Sequence, residues 1–308
     1  MKRLVKILII LIIAQILCIC SGSDKKAARK DVEVFTDAMQ RQVAVPKNTK
    51  RIISMAPNVT EMLFAIGLDD KIVGVTTYCD YPDAARDKPK IGGYSDPNME
   101  AILSLKPDLI VTAPDGYSKE RVEKLDEIGI PVFVVNPKKV DDVLETMLTL
   151  GKVTGKIEAA KQIVDQLSKR VEMVREEVSL IPPEKRLKVF YEIGRDPLFT
   201  VGPGTFLDNL ITEAGGVNIA ADAGSEWAQY SVEAVIAKKP DIIITALHTP
   251  SGTDSESSKS IWQKYKTIPA AQNGRIYELD PNILLRPGPR IVDGMEELYG
   301  LFAKSYSP

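Results

Sequence analysis

A single histidine, His248, stands in this chain of 308 residues, so no set of imidazole ligands for zinc or manganese can be assembled from it. His248 itself reads as a loop residue at a strand end. Cysteine is almost as scarce: Cys18, Cys20 and Cys79. Two of the three fall in the first twenty residues, so only Cys79 remains in the folded part and no disulfide can form within it. A reactive thiolate wants a cationic neighbour, whereas Cys79 is flanked by Tyr78, Asp80 and Tyr81, so it is not read as a nucleophile. Charge of one sign is missing as well. A net charge of −2 and a pI of about 5.7 leave no basic footprint, which excludes nucleic acid as a partner. No phosphate-binding loop is present: Gly151-Lys-Val-Thr-Gly-Lys156 lacks the spacing and the terminal Ser or Thr and reads as a helix end. Gly202-Pro-Gly204 and Gly215-Gly216 read as tight turns that supply positive φ and a C-cap. An enzyme is not expected.

Long apolar runs are lacking too. Residues 7–20 are apolar apart from Gln15, and fourteen residues of helix span roughly 21 Å, short of a ~30 Å hydrocarbon core. With Lys2, Arg3 and Lys6 ahead of it, the run reads as a secretory signal peptide rather than a permanent membrane helix. Cys20-Ser21-Gly22-Ser23 and the charged stretch 24–30 look like a bacterial lipoprotein site followed by a tether. Lipidation is expected at Cys20. Cys18, or plain cleavage near residues 21–23, are the alternatives, because Ile19 and Leu17 rather than small residues precede the two cysteines. Loss of residues 1–19 removes three positive charges and leaves about −5, ordinary for an exported domain. The expected location is the periplasm or the outer face of the cell membrane, with a lipid anchor.

What is there is a repeated alternation of short apolar strands and amphipathic helices. Residues 32–45 alternate around Asp37 as a small hairpin, and 51–55 form a strand. Pro57 to Glu61 then opens a helix in which Asn58 reads as N-cap and Glu61, three residues on, as its capping-box partner. Strands at 72–75, 109–112 and 132–135 alternate with helices at 98–105 and 118–128, the mark of a parallel sheet with helices on its faces. From Lys156 to Ser179 the apolar residues Ala160, Val164, Leu167, Val171, Val174 and Val178 recur at helical spacing. Pro182-Pro183 ends the pattern too soon for a dimeric coiled coil, so it reads as an intramolecular strut of roughly 36 Å, and a monomer is expected. Beyond it the alternation resumes at 187–193, 205–214 and 242–245. The organisation is therefore signal peptide 1–20, tether 21–31, N-terminal lobe 32–150, linking helix 151–181 and C-terminal lobe 182–308.

An internal repeat makes the two lobes relatives. Residues 99–113 align without gaps on 232–246, with eight of fifteen positions identical, so a helix, a Lys-Pro-Asp turn and a buried strand occur once on each side of the strut. The repeat puts Glu100 and Glu233 at equivalent positions, and Tyr94 and Trp227 each lie six residues upstream. Open α/β sheets bind ligands in the loops at the carboxyl ends of their strands, and two facing aromatics suit a large, flat, partly apolar ligand. Each aromatic alone reads equally as a packed loop residue. Each glutamate alone reads as a first-turn acid favouring the helix dipole behind the N-caps Asn98 and Ser231.

The stretches Ser54-Met-Ala-Pro-Asn-Val-Thr-Glu61, Tyr78-Cys-Asp-Tyr-Pro82, Asn98 to Ile110, Pro197-Leu-Phe-Thr-Val-Gly202, Glu213-Ala-Gly-Gly-Val-Asn218 and Arg286-Pro-Gly-Pro-Arg-Ile-Val292 resemble the cobalamin and ferric-siderophore solute-binding family of ABC importers, over roughly residues 34–305. The resemblance implies two Rossmann-like α/β lobes joined by one long rigid helix, with the ligand cleft between them. It also implies a permease dimer as partner, docked through Glu100 and Glu233. Within the family the cobalamin binders look nearest, which points to Tyr78, Tyr94, Trp227 and the loop Asn282, Ile283, Leu284, Leu285 and Arg286 as ligand contacts. Tyr94 stands where cobalamin binders carry tryptophan, and the 282–286 loop lacks their aromatic pair. Ferric-siderophore or haem binding therefore stays open, with Arg286 and Arg290 as partners for anionic oxygens. A metal already wrapped in a corrin ring or chelator brings its own ligands, so no cofactor of the protein's own is expected. A surface ligand sensor without a permease is the alternative of another class.

Overall fold

The computed structural model describes residues 31–113, 119–127, 129–246 and 258–306. The signal peptide with Cys18 and Cys20, the tether before Asp31, and His248 lie outside the described residues. A hairpin, β1 (Val32–Thr36) and β2 (Gln42–Pro46), opens the fold. Its turn is set by Asp37, whose buried carboxylate accepts the backbone N–H of Met39 at 2.9 Å and of Arg41 at 3.0 Å.

The N-terminal sheet follows from β3 (Ile52–Ser54), β4 (Ile72–Val75), β5 (Leu109–Thr112) and β6 (Val132–Val134), all parallel in the order β4-β3-β5-β6. Its strands are unbroken apolar runs because helices cover both faces: α1 (Pro57–Ala65), α2 (Met99–Ser104), α3 (Lys119–Glu127) and α4 (Val140–Thr154). After α5 (Ile157–Ser179) comes the second lobe. It comprises β7 (Lys188–Arg195), β8 (Leu198–Val201), α6 (Phe206–Glu213), β9 (Val217–Asn218), β10 (Trp227–Gln229), α7 (Val232–Lys238), β11 (Ile242–Thr245), α8 (Ser258–Gln263), α9 (Pro269–Gln272), β12 (Ile276–Glu278), α10 (Pro281–Leu284) and α11 (Ile291–Tyr306). Its sheet runs β10-β8-β7-β11-β12, with β9 beside the start of β7. β7, β9, β11 and β12 are parallel, while β8 folds back antiparallel on β7 and carries β10 on its edge.

The repeat has a mechanical explanation. Asn98 and Ser231 cap α2 and α7 by accepting the N–H of Ala101 at 3.0 Å and of Ala234 at 3.1 Å. After each helix a lysine takes the left-handed conformation, Lys106 at φ 44° and Lys239 at φ 50°, which ends the helix and lets the following proline turn the chain into the strand. The aspartate then locks the register. The Asp108 carboxylate accepts the backbone N–H groups of Lys50 and Arg51 at 2.8 and 2.9 Å, beside β3, and that of Asp241 accepts the Lys188 N–H at 2.9 Å, at the start of β7. Lys-Pro-Asp is thus a device for stopping a helix and aligning the new strand on its parallel neighbour.

One correction concerns α1. Its N-cap is Ala56, with no side-chain cap, and Pro57 occupies the first turn, where its fixed φ starts the helix. Asn58 is consequently inside the helix and Glu61 lies too far along it for a capping box; Glu61 serves another purpose, described below.

The largest apolar cluster runs without interruption from Val43 in the hairpin, through α4 and α5, to Phe302 in α11, so the lobes share a core rather than being two beads on a string. All six apolar positions of the α5 stripe are buried. Arg175 of α5 extends the tie, donating Nε to Glu213 of α6 at 2.7 Å and Nη2 to Asp141 of α4 at 2.9 Å, and Asn209 of α6 accepts the N–H of Val140 in α4 at 3.2 Å. Gly151 explains how closely α4 and α5 approach: a Cβ there would stand 2.6 Å from Ala160 Cβ and 3.1 Å from Ile157 Cα. The turn between the helices is closed by Gly155 at φ 74°. Gly151→Ala should therefore lower the urea midpoint, because overpacking of about 1–3 kcal/mol outweighs the gain of roughly 1 kcal/mol in helix propensity. A raised midpoint would mean that the two helices do not meet at Gly151.

Candidate ligand site between the lobes

Loops at the carboxyl ends of both parallel sheets converge between the lobes. Tyr78 follows β4, Tyr94 precedes α2, and the backbone ties their loops together through Thr77 N–H to the Gly92 carbonyl at 2.9 Å. The Tyr94 hydroxyl donates to the Ala113 carbonyl just past β5 at 3.3 Å, which holds its ring half-buried. From the other lobe, the 282–286 loop follows β12, and Trp227 starts β10. Gly202 fixes the position of Trp227: its N–H donates to the Glu226 carbonyl at 2.7 Å, and a Cβ would stand 2.0 Å from the Ser225 carbonyl oxygen. No other residue lets the 225–227 segment close on β8. The expected turn role, supply of positive φ, belongs to Gly204 at φ 79°; Gly202 is there for close approach.

Three large aromatics of these loops are exposed, Tyr78 at 60%, Trp227 at 55% and Tyr81 at 45%. Trp227 stands over a notch of about 90 Å³ lined by Asn136, Lys138, Phe206, Leu285 and Pro287, which brings the end of β6 in one lobe against α6 and the 282–287 loop of the other. Lys138 and Glu226 face each other across it at 3.9 Å, too solvated a pair to add much. Asn136, Lys138 and Phe206 were not among the residues expected from sequence, although their place at the end of β6 and the start of α6 is where the strand-end rule would look. Of the expected contacts, Asn282, Ile283 and Leu285 are half-buried. Leu284 differs: it is fully buried and packs beside Gly294, while also lining the notch under Trp227. Glu100 and Glu233 are exposed in the first turns of α2 and α7.

The lobes are also bridged, outside the lining of that notch, by an ion cluster that the sequence did not foretell. Glu61 of α1, nearly sealed from water, accepts two N–H bonds from Arg290 of the other lobe, Nε to Oε2 at 2.9 Å and Nη2 to Oε1 at 2.6 Å. That bidentate geometry is that of an ionised carboxylate. Arg290 also stacks on Tyr81, 4.0 Å from the ring centroid, and donates to the Asn282 carbonyl at 3.2 Å. Arg286 reaches the same lobe, with Nη1 2.5 Å from Asp80 Oδ1 and 3.6 Å from Glu61 Oε1, and Nη2 3.4 Å from the Tyr78 carbonyl. The arginines expected to meet an anionic ligand are therefore already engaged by the protein's own carboxylates. Burial pushes the Glu61 carboxyl above its ordinary value against the pull of both guanidiniums. At Asp80 burial also pushes upward, but the Arg286 hydrogen bond and charge prevail and hold it below the usual range. The hydrogen bond to Glu61 holds Arg290 above its ordinary value.

Residues 52–283 match the family model described as periplasmic binding protein. The chain belongs to the periplasmic binding protein family. An ABC transporter substrate-binding lipoprotein of Bacillus subtilis strain 168 is 32% identical over 285 residues, covering 89% of this chain and 88% of that protein. The solved periplasmic vitamin B12 binding protein of Vibrio cholerae superposes with a TM-score of 0.74 at 29% identity, over 84% of this chain and 99% of the other. A periplasmic haem-binding protein from Roseiflexus sp. RS-1 superposes with a TM-score of 0.73 at 27% identity, over 84% and 99%. Family and fold are thus those of two-lobed solute-binding proteins that serve ABC transporters, not those of enzymes, and the family is extracytoplasmic.

If the ion cluster fastens the lobes, Glu61→Ala should cost about 3–5 kcal/mol in urea titration by stranding buried charge, and Glu61→Ala with Arg290→Ala should cost clearly less than the two single losses together. Additive losses would show that the two side chains do not act as a pair.

Proposed function

We propose that this chain captures cobalamin or a related corrinoid in the cleft between its lobes and delivers it to the permease dimer of an ABC importer. The observation that carries the reading is the pair of half-exposed aromatics, Tyr78 and Trp227, presented by different lobes where the strand ends converge. Each ring can bury 150–250 Å² against a flat apolar ligand. The notch beneath Trp227 is small beside the ~300–1,000 Å³ of ordinary small-molecule sites. A corrin-sized ligand would therefore lie over the open aromatics with Tyr94, Asn282, Ile283, Leu285 and Arg286 at its margin. The likeness to the vitamin B12 binding protein of Vibrio cholerae supports the choice of cargo. Haem or a ferric siderophore is the second reading, favoured by the likeness to the Roseiflexus haem-binding protein. In either case the cargo brings its own metal ligands, and the protein needs no cofactor.

Delivery rests on Glu100 and Glu233. They sit at equivalent positions of the repeat, exposed in the first turn of α2 and of α7, and neither makes a bond that would explain an acid there beyond the favourable helix dipole. Two matched acids on a monomer suit two matched basic pockets on a homodimeric permease. Lipidation at Cys20 would keep the protein at the membrane surface beside that partner.

Isothermal titration of residues 31–308 with cyanocobalamin should give one-to-one binding that weakens at least tenfold in Trp227→Ala, about 1.4 kcal/mol; wild-type protein that gives no heat with cyanocobalamin contradicts the cargo. Reversing both acids, Glu100→Lys with Glu233→Lys, should abolish uptake in cells while leaving the titration unchanged. Unchanged uptake would favour a ligand sensor that uses no permease.

A further inference from the structure

Arg286 follows Leu285 at the edge of the notch and reaches the Tyr78 loop of the other lobe, and its five N–H donors make it a general receptor for carboxylates and phosphates. Glu61 is the more distant of its two carboxylate partners, since both Glu61 oxygens accept from Arg290 at 2.9 and 2.6 Å while Arg286 stands at 3.6 Å. The nearer one is Asp80, with Oδ1 2.5 Å from Nη1. Asp80 lies two residues from the exposed Tyr78, and its side chain keeps 40% of its surface in solvent where that of Arg286 keeps 14%. It is therefore the solvent-facing member of the pair. Together Glu61, Asp80, Arg286 and Arg290 sum to zero charge.

We propose that Asp80 is a built-in occupant of the anion seat on Arg286, and that this pairing selects a metal chelate with amides on its rim over one with carboxylates. The inference deepens the cleft's assignment as the ligand site and rests on it. An amide rim can accept a hydrogen bond from the remaining guanidinium N–H groups without disturbing the pair. A carboxylate rim meets Asp80 as a like charge and must displace it to reach Arg286. Asp80 acts through Arg286 and is a positioning residue.

The test is isothermal titration of wild-type protein, Asp80→Asn, and Asp80→Asn with Arg286→Gln, each against cyanocobalamin and against haemin, whose two propionates are the anionic probe. Asp80→Asn is isosteric and should raise haemin affinity roughly 10- to 100-fold, the worth of a charge-assisted hydrogen bond, while cyanocobalamin affinity moves less than about threefold. The haemin gain should vanish when Arg286→Gln is added and shrink in high salt, which a merely structural effect would not do. Should Asp80→Asn melt well below wild type, Asp80→Ser removes the same charge and carries the same expectation. Haemin affinity that is unchanged or lower in a folded charge-removing variant overturns the proposal, even if cyanocobalamin binds as expected. Failure of wild type to bind cyanocobalamin overturns the cargo instead, and the haemin comparison still decides the role of Asp80. Absence of binding by either probe in every variant overturns both.

Discussion

Glu61 is a helical glutamate nearly sealed from water, and the two arginines that satisfy it come from a segment more than 220 residues further on, in the other lobe. A buried carboxylate is costly unless it is paired and hydrogen-bonded, so the lobes cannot separate at this point without stranding either Glu61 or Arg290. The constraint reaches outward from there. Arg290 holds Tyr81 against its face, Arg286 holds the Tyr78 loop, and the 282–286 loop is pinned between them. The ion cluster therefore ties the loop that carries Tyr78 and Tyr81 to the 282–290 segment of the other lobe.

The long helix and the ion cluster divide the task. Along α5 the apolar stripe merges the two lobes into one core, and Arg175 ties α4 of one lobe to α6 of the other. The Glu61 cluster fixes the second line of contact. Two separate lines of attachment leave little freedom for a hinge. A cleft already held in its binding shape avoids the ordering cost that a closing pair of lobes would incur. The rigid frame also keeps Glu100 and Glu233 at a constant spacing, which a partner with two fixed pockets would require.

Much of the fold was legible because it is local. Helical spacing gave α5 to within a residue of its start, although the linking helix drawn at 151–181 takes in the end of α4 at Thr154, and the Lys-Pro-Asp repeat marked the two equivalent strand entries, whose physical content is a left-handed lysine and an aspartate that caps the neighbouring strand. What escaped the sequence is non-local or depends on close approach. Asn58 and Glu61 match a capping box by spacing, but Pro57 starts the helix earlier and leaves Glu61 free for a partner in the other lobe. Gly202 looks like a turn glycine and instead makes room for the Ser225 carbonyl. The β8 and β10 strands that carry Trp227 are short and pair antiparallel, a departure from the parallel pattern that strand-helix alternation could not signal.

The most direct measurement of this account is the distance between spin labels at Glu100→Cys and Glu233→Cys by pulsed electron resonance, with and without bound ligand, native Cys79 being buried and out of reach. A frame fixed by α5 and the Glu61 cluster predicts a narrow distribution whose mean moves by less than about 2 Å on binding. A broad distribution without ligand, or a larger shift on binding, would contradict it and show that the lobes hinge despite their shared core.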